Sequence, residues 1–474
     1  MIQSNKKPIS SLLNGAYRID ENSWIYVYLH GTPRQMGYQN GWLLWDSIDQ
    51  NIKATIHMYW TSDHTVNSKV GDRWHIARDI SRIYIWPKLT CDMQTEIENI
   101  AKGVKDRGLK WDIWDILASN AWGDIPVYMN LYQSNIKNGA INNEKDHTPD
   151  QPPSDHCSAF IATGSWTKDG DIVMAHSTWT NYATGTCGNV IYDVNPTTGH
   201  RFVMQSNGGS IWSGPDWLYN DTGLMVTETT IPGMSVYEPK GLPVFVRERL
   251  AIQYSGSIDD FLFLMMNHNN GAYANEWLVG DAKTHEECSL QLGCKQWDIQ
   301  RSFDDMIVST NLPKGPNILK ETTYDITNMQ TTPYWRMQRA LQIRAQYAGS
   351  HLVDYKVGES FEADTFDMYL QKEVPTMRDL CGIGESKYNA PPVTLWDGKL
   401  ITGPYPNGAC DAKVTTGSMV MDTMSMWGRF GHGNGMVFKA SDFLKDHPEF
   451  SWQLPYLRDM PNNGIPVPWT KFPI

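Results

Sequence analysis

Charge is scarce in this chain. Charged residues make up 19% of the 474 residues, against roughly 25% in an average soluble domain, while hydrophobic residues reach 41%. Disorder as the dominant state is excluded by that balance. Basic residues number 40 against 52 acidic ones, a net charge of -12, with no stripe of Lys and Arg. Such a surface does not neutralise phosphates, so no nucleic acid partner is expected. Long apolar runs are also missing. FLFLMM, residues 261–266, falls far short of the roughly 20 residues that cross a bilayer, so no integral membrane segment is expected. The opening MIQSNKKPISSLLNG has no apolar core of a secretory signal, which is absent or has been removed, and the compartment stays open.

Familiar chemical motifs are absent too. Cysteines at 91, 157, 187, 288, 294, 381 and 410 form no CxxC and no Cys/His ligand spacing, so no metal site and no cofactor is expected. Their odd number leaves at least one thiol outside any pairing. The sequence has no GxSxG elbow, no GxxxxGK[ST] loop and no HExxH, which removes local support for three common hydrolase routes. GRFGHGNG, residues 428–435, lacks a phosphate-binding lysine and a strand-to-helix frame, and reads as a flexible turn. Tryptophan is abundant, with 20 copies scattered along the chain. Core packing explains that distribution better than a sugar- or lipid-binding face.

The length allows about three domains at roughly 150 residues each, or one large enzyme fold with insertions. Composition breaks the chain at one place. Residues 137–156, KNGAINNEKDHTPDQPPSDH, are polar and proline-rich and read as an exposed loop. Before it, residues 1–136 are mostly helical, with helical spacing over 33–55, 90–108 and 111–122. After it, residues 157–474 begin with period two: CSAFIAT, a turn at GSWTKDGD, then DIVMAHSTW form a hairpin. NVIYDV, HRFVMQS, GSIW and GLMVTETTI read as further strands. LPVFVRERLAIQYSG and SIDDFLFLMMNHNN return to helix, NEWLVGD and KQWDIQRS to strand, residues 330–372 to helix, and AKVTTGSMVMDT to strand. The pattern is α+β.

A cysteine that directly follows a long polar loop and opens a β-hairpin has what an N-terminal nucleophile needs. Cleavage between His156 and Cys157 frees an α-amine beside the thiol, and that amine, with an ordinary pKa of about 7.7–8.0, serves as base near neutral pH. The plain alternative is a buried strand cysteine after a surface loop.

CSAFIATGSWTKDGDIVMAHSTWTNY, residues 157–182, resembles the start of the large chain of phospholipase B-like proteins, which are N-terminal nucleophile hydrolases. Three further blocks match in order: GGSIWSGPDWLYNDTGLMVTETTI (208–231), NNGAYANEWLVGDAKT (269–284) and GACDAKVTT (408–416). HGTPRQMGYQNG (30–41) is more similar to the leading segment of the peptidase C45 acyltransferase group. The resemblance implies an αββα sandwich, with residues 1–136 and 157–474 forming one composite domain around a scissile linker at 137–156. It implies self-cleavage into fragments of 156 and 474 − 156 = 318 residues.

It also implies that Cys157 is the nucleophile and that His176, on the adjacent strand, orients the amine or contacts substrate. His176 and Trp179 stand where the wider superfamily often has Arg and Asp. A hydroxyl or amide at Thr229 or Thr230 would bind the attacked carbonyl, and the Asn275 amide would form an oxyanion hole. Ala274 replaces the first asparagine of that family block. Asp411 and Lys413 read as a structural ion pair.

The expected function is an autoproteolytically activated amidase or acyl hydrolase acting on a small-molecule or lipid acyl substrate. Acyl transfer through the same thioester, and a non-catalytic secreted lipid- or glycan-binding protein, stay open as alternatives. Relatives of eukaryotic origin imply a secreted or lysosomal location, a bacterial exported enzyme remains equally open, and Asn220 in NDT is a matching glycosylation sequon.

Overall fold

The computed structural model describes residues 7–62, 69–137, 156–389, 393–394 and 400–474. Its centre is a pair of stacked sheets. The larger has nine strands in the order β1-β2-β5-β6-β7-β8-β9-β10-β11. These are β1 (Tyr17–Glu21), β2 (Trp24–Gly31), β5 (Val190–Pro196), β6 (Phe202–Ser206), β7 (Trp217–Asn220), β8 (Leu224–Thr230), β9 (Asn275–Asp281), β10 (Glu286–Leu292) and β11 (Trp297–Ser302). The smaller sheet is built on the hairpin β3 (His156–Ala162) and β4 (Val173–Asn181), flanked by β12 (Met306–Ser309), β13 (Asn407–Ala409), β14 (Asp411–Thr416), β15 (Met426–Phe430) and β16 (Thr470–Phe472).

Alternation along the strands sorts the side chains into layers. In β2, Ile25, Val27 and Leu29 join one core with the helices, while Trp24 and Tyr26 join a second core between the sheets. The first core is covered by α1 (Pro33–Leu43), α2 (Trp45–Tyr59), α3 (Cys91–Asp106), α4 (Ile113–Asn120), α5 (Ile125–Lys137), α6 (Val244–Tyr254) and α7 (Ile258–Met266). On the far side, α8 (Thr332–Tyr347) and α9 (Tyr355–Glu362) pack Met337, Ala340, Ile343 and Phe361 against Phe160, Val173, Ala175 and Val414 of the smaller sheet. Helices, sheet, sheet and helices make four layers, an αββα sandwich.

Local chemistry accounts for the helix starts. Thr32 accepts from the Gln35 amide in a capping box, Pro33 follows it, and Thr90 caps α3. α1 and α3 approach so closely that a Cβ on Gly37 or Gly41 would run into the Glu96 or Ile100 carbonyl. The segment read as mostly helical therefore has its helices, but it also supplies β1 and β2, and β2 pairs in parallel with β5 over Ile25↔Val190 to Gly31↔Pro196.

Three expectations change. GSIW is a turn, not a strand, because Gly209 takes φ 85 and Asn120 bonds the backbone there on both sides. The late block is strand only to Thr416, whose side chain then caps a helix over Gly417–Thr423. GRFGHGNG is strand through Phe430, and its buried His432 holds Glu385 at 2.9 Å, so it is not a loose turn. The linker core, residues 138–155, lies outside the described residues; α5 ends at Lys137 and His156 already belongs to β3.

Candidate active site

Cys157 shares the parity of Ala159 and Ile161, which lie in the inter-sheet core, so its side chain enters the same layer. It is fully buried. In the β3–β4 ladder Cys157 faces Thr178 and Ala159 faces His176, which brings the thiol and the imidazole onto one face. Asp216, in the turn before β7, completes the group: its carboxylate, the Cys157 Sγ and a His176 ring nitrogen all lie within 4.8 Å of one another.

The Cys157 backbone is clamped at both polar atoms. Its nitrogen donates to Asn311 Oδ1 at 2.9 Å, and its carbonyl accepts from Arg336 Nη1 at 2.5 Å. Arg336 Nη2 also donates to Asn311 Oδ1 at 2.9 Å, and its guanidinium lies 4.3 Å from the Trp179 ring. Burial pulls that guanidinium down to about 10, with Cys157 the largest influence drawing it back up, so it stays charged at neutral pH.

Thr229 sits one step behind. Its hydroxyl is 2.5 Å from Ser309 Oγ and accepts from the Asn311 nitrogen, and Ser309 donates to Glu276 at 2.6 Å. The hydroxyl is thus committed to holding Asn311. Asn275 opens β9 opposite Thr230, whose carbonyl accepts from Asn311 Nδ2 at 2.8 Å. By alternation Asn275 shares the helix-facing side with Trp277, and both its amide atoms are buried without a hydrogen-bond partner.

Burial, then the Lys413 charge, hold His176 well below its usual range, so the imidazole is neutral. Neither ring nitrogen makes a hydrogen bond of normal geometry. Burial pushes the Asp216 carboxyl up to about 7, against hydrogen bonds from Glu228 and Tyr273. Tyr273 donates to Asp216 Oδ2 at 2.8 Å and is 2.9 Å from Glu228 Oε1. Lys413 and Asp411 do form the buried ion pair, at 2.8 Å, and Lys413 also donates to Thr178 Oγ1 at 2.7 Å.

Sequence reasoning missed Asp216, Tyr273, Asn311 and Arg336. A signal appears only in the backbone: Asp216, Tyr273 and Asn311 take φ of 63, 47 and 66, conformations that non-glycine residues adopt at a cost and that cluster at functional sites. A cavity of about 90 Å³ reaches Thr178, Pro215 and Asp411 and is walled by Tyr59, Trp60, Trp122 and Trp212. It stops at Thr178, the cross-strand neighbour of Cys157. The sequon reading fails: Asn220 is fully buried and its Nδ2 donates to the Ile252 and Ser255 carbonyls, which leaves no nitrogen for a glycan.

A family model described as phospholipase B matches residues 30–472, almost the whole chain. The chain belongs to the phospholipase B family. Among curated relatives of this phospholipase B family member, phospholipase B-like 1 of Caenorhabditis elegans is 23% identical over 389 residues, covering 74% of this chain and 64% of that protein. Phospholipase B-like 2 of Homo sapiens is 26% identical over 201 residues, covering 38% and 33%. The matches thus span less than two thirds of these relatives' own lengths. A solved penicillin V acylase from Agrobacterium tumefaciens aligns at 13% identity with a TM-score of 0.30, over 57% of this chain and 82% of that one. Among the described residues no helix is long and apolar enough to cross a membrane.

Proposed function

We propose that this protein hydrolyses amide or carboxylic ester bonds through Cys157, which becomes an N-terminal nucleophile when the chain cuts its own His156–Cys157 bond. Family membership supports the hydrolase class. The observation that carries the nucleophile is the clamp of Asn311 and Arg336 on the Cys157 backbone, beside a buried imidazole and carboxyl.

In the uncut chain the Cys157 nitrogen is an amide and has no basicity. The thiol adds to the His156 carbonyl carbon, the C–N bond breaks as the nitrogen takes a proton, and the acyl group moves to sulfur. Water then hydrolyses the thioester and leaves a free thiol and amine. Asn311 Oδ1 remains the acceptor that orients the new amine, and the adjacent Arg336 charge disfavours its ammonium form, which keeps the base ready near neutral pH.

In turnover the amine takes the thiol proton, sulfur attacks the acyl carbon, and the proton passes to the departing alcohol or amine. The aromatic-walled cavity beside Thr178 receives the acyl part, whereas Asn275 faces the helices and not the layer of the thiol. Asn311, Arg336 and Thr229 act as positioning residues.

On a denaturing gel the purified chain gives bands of 156 and 318 residues, and the larger begins at Cys157. Cys157→Ala stays intact and releases no fatty acid from a lysophospholipid or an N-acyl amine. A Cys157→Ala chain that still splits at this bond, or that retains turnover, overturns the proposal.

A further inference from the structure

The Cys157, His176 and Asp216 side chains come from two strands and a distant turn, yet meet fully buried with their donor atoms within 4.8 Å of one another. For three points so spaced, one position lies within 4.8/√3, about 2.8 Å, of all of them. Zinc takes thiolate at about 2.3 Å and imidazole or carboxylate at about 2.0–2.2 Å. A contraction of about 0.5–0.8 Å per side chain therefore closes a three-ligand site with a fourth position open.

Two independent observations point to a ligand there. Neither His176 ring nitrogen, both fully buried, makes a hydrogen bond of normal geometry. Tyr273, which donates to Asp216 Oδ2, and Glu228 hold the Asp216 carboxyl from behind and so orient it.

We propose that Cys157, His176 and Asp216 bind a zinc ion, and that its presence silences Cys157. One sulfur, one imidazole and one carboxylate suit Zn²⁺ and disfavour Mg²⁺ or Ca²⁺, which require oxygen shells. On binding, the thiol proton leaves to solvent and the sulfur lone pair is held by the metal, so it no longer attacks a carbonyl. The silencing rests on the nucleophile reading above; the binding does not.

The probe is Co²⁺ added to the reduced full-length chain. It binds at one equivalent with a sulfur-to-cobalt charge-transfer band, and Zn²⁺ bleaches that band by displacement. Cys157→Ser loses the band, while His176→Ala and Asp216→Asn weaken binding at least about tenfold, with circular dichroism reporting that each variant folds. Absence of the band, or its persistence in Cys157→Ser, overturns the site. Zn²⁺ also stops fragment formation and alkylation of Cys157 by iodoacetamide, and EDTA restores both. A bound metal with undiminished alkylation overturns the silencing. Fragments absent with and without Zn²⁺, while the cobalt band appears, count against self-cleavage and leave the metal site standing.

Discussion

Asp124 tests how the helical layer is tied to the loop that carries Tyr273. Its Oδ1 accepts from the Val244 nitrogen at the start of α6 at 2.9 Å and from Asn270 Nδ2 at 2.7 Å, and Asn270 in turn accepts from Ala272. Burial pushes the Asp124 carboxyl from its ordinary 3.8 up to about 6. A group raised in the folded state binds its proton more tightly there, so its contribution favours folding below 3.8 and is lost as pH rises through 6. At about 1.4 kcal/mol per pH unit, the loss is on the order of 3 kcal/mol. Asp124→Asn keeps the oxygen that accepts both bonds and removes the titration. The new NH₂ group takes the place of Oδ2 and faces the Phe245 amide, which also acts on this carboxyl, so the variant carries a penalty that does not change with pH. With an unfolding entropy of about 2.1 cal/mol/K per residue, 3 kcal/mol corresponds to about 3 °C in a chain of this length. Calorimetric scans at matched rate from pH 4 to pH 7 will show the variant gaining about 3 °C on the wild type. A gap that stays constant or moves the other way refutes the reasoning.

Gly41→Ala forces a Cβ into the Ile100 carbonyl between α1 and α3 and will lower stability by about 1–3 kcal/mol, whereas Gly403→Ala, with nothing within 4 Å, will stay within about 0.5 kcal/mol in the same melts. Equal effects at the two glycines would remove close helix approach as the cause. Asn275→Ala will leave kcat within about threefold of the wild type with an unchanged or slightly higher melting temperature, since the amide is buried without a partner on the helix-facing side of the sheet and away from the thiol's layer. A fall of about a hundredfold would overturn that placement and give the oxyanion role expected from the sequence to Asn275.

The strands and helices were legible where a periodic face is buried. β3 and β4 show period two because one side meets the other sheet and the opposite side meets α8 and α9. Cys157 was legible because a polar proline-rich stretch ends beside it, whereas His176 was suggested only by the family resemblance, and the β3–β4 register places the two on one face. Asp216, Asn311 and Arg336 were not. They reach the site from a turn, a post-strand loop and a helix far along the sequence, and two of them through positive φ at residues that carry no glycine signal. For the same reason the search for Cys/His spacing gave no metal set: positions 157, 176 and 216 are neighbours only after the sheets stack. The Asn220 sequon misled because a tripeptide says nothing about burial.

The proposed cut changes the chemistry of one residue without releasing a fragment. Residues before the linker supply β1 and β2, and β2 is ladder-bonded to β5 from the other side of the cut. Trp24 and Tyr26 enter the inter-sheet core, and α1 to α5 form much of the helical layer over the larger sheet. Separating the pieces would expose both cores and leave a central parallel edge unpaired, a cost far above the net stability of any domain. Breaking one peptide bond therefore leaves the sandwich standing and turns an inert amide nitrogen into a base. That base is held in place by Asn311 and Arg336, which already grip Cys157 in the uncut chain.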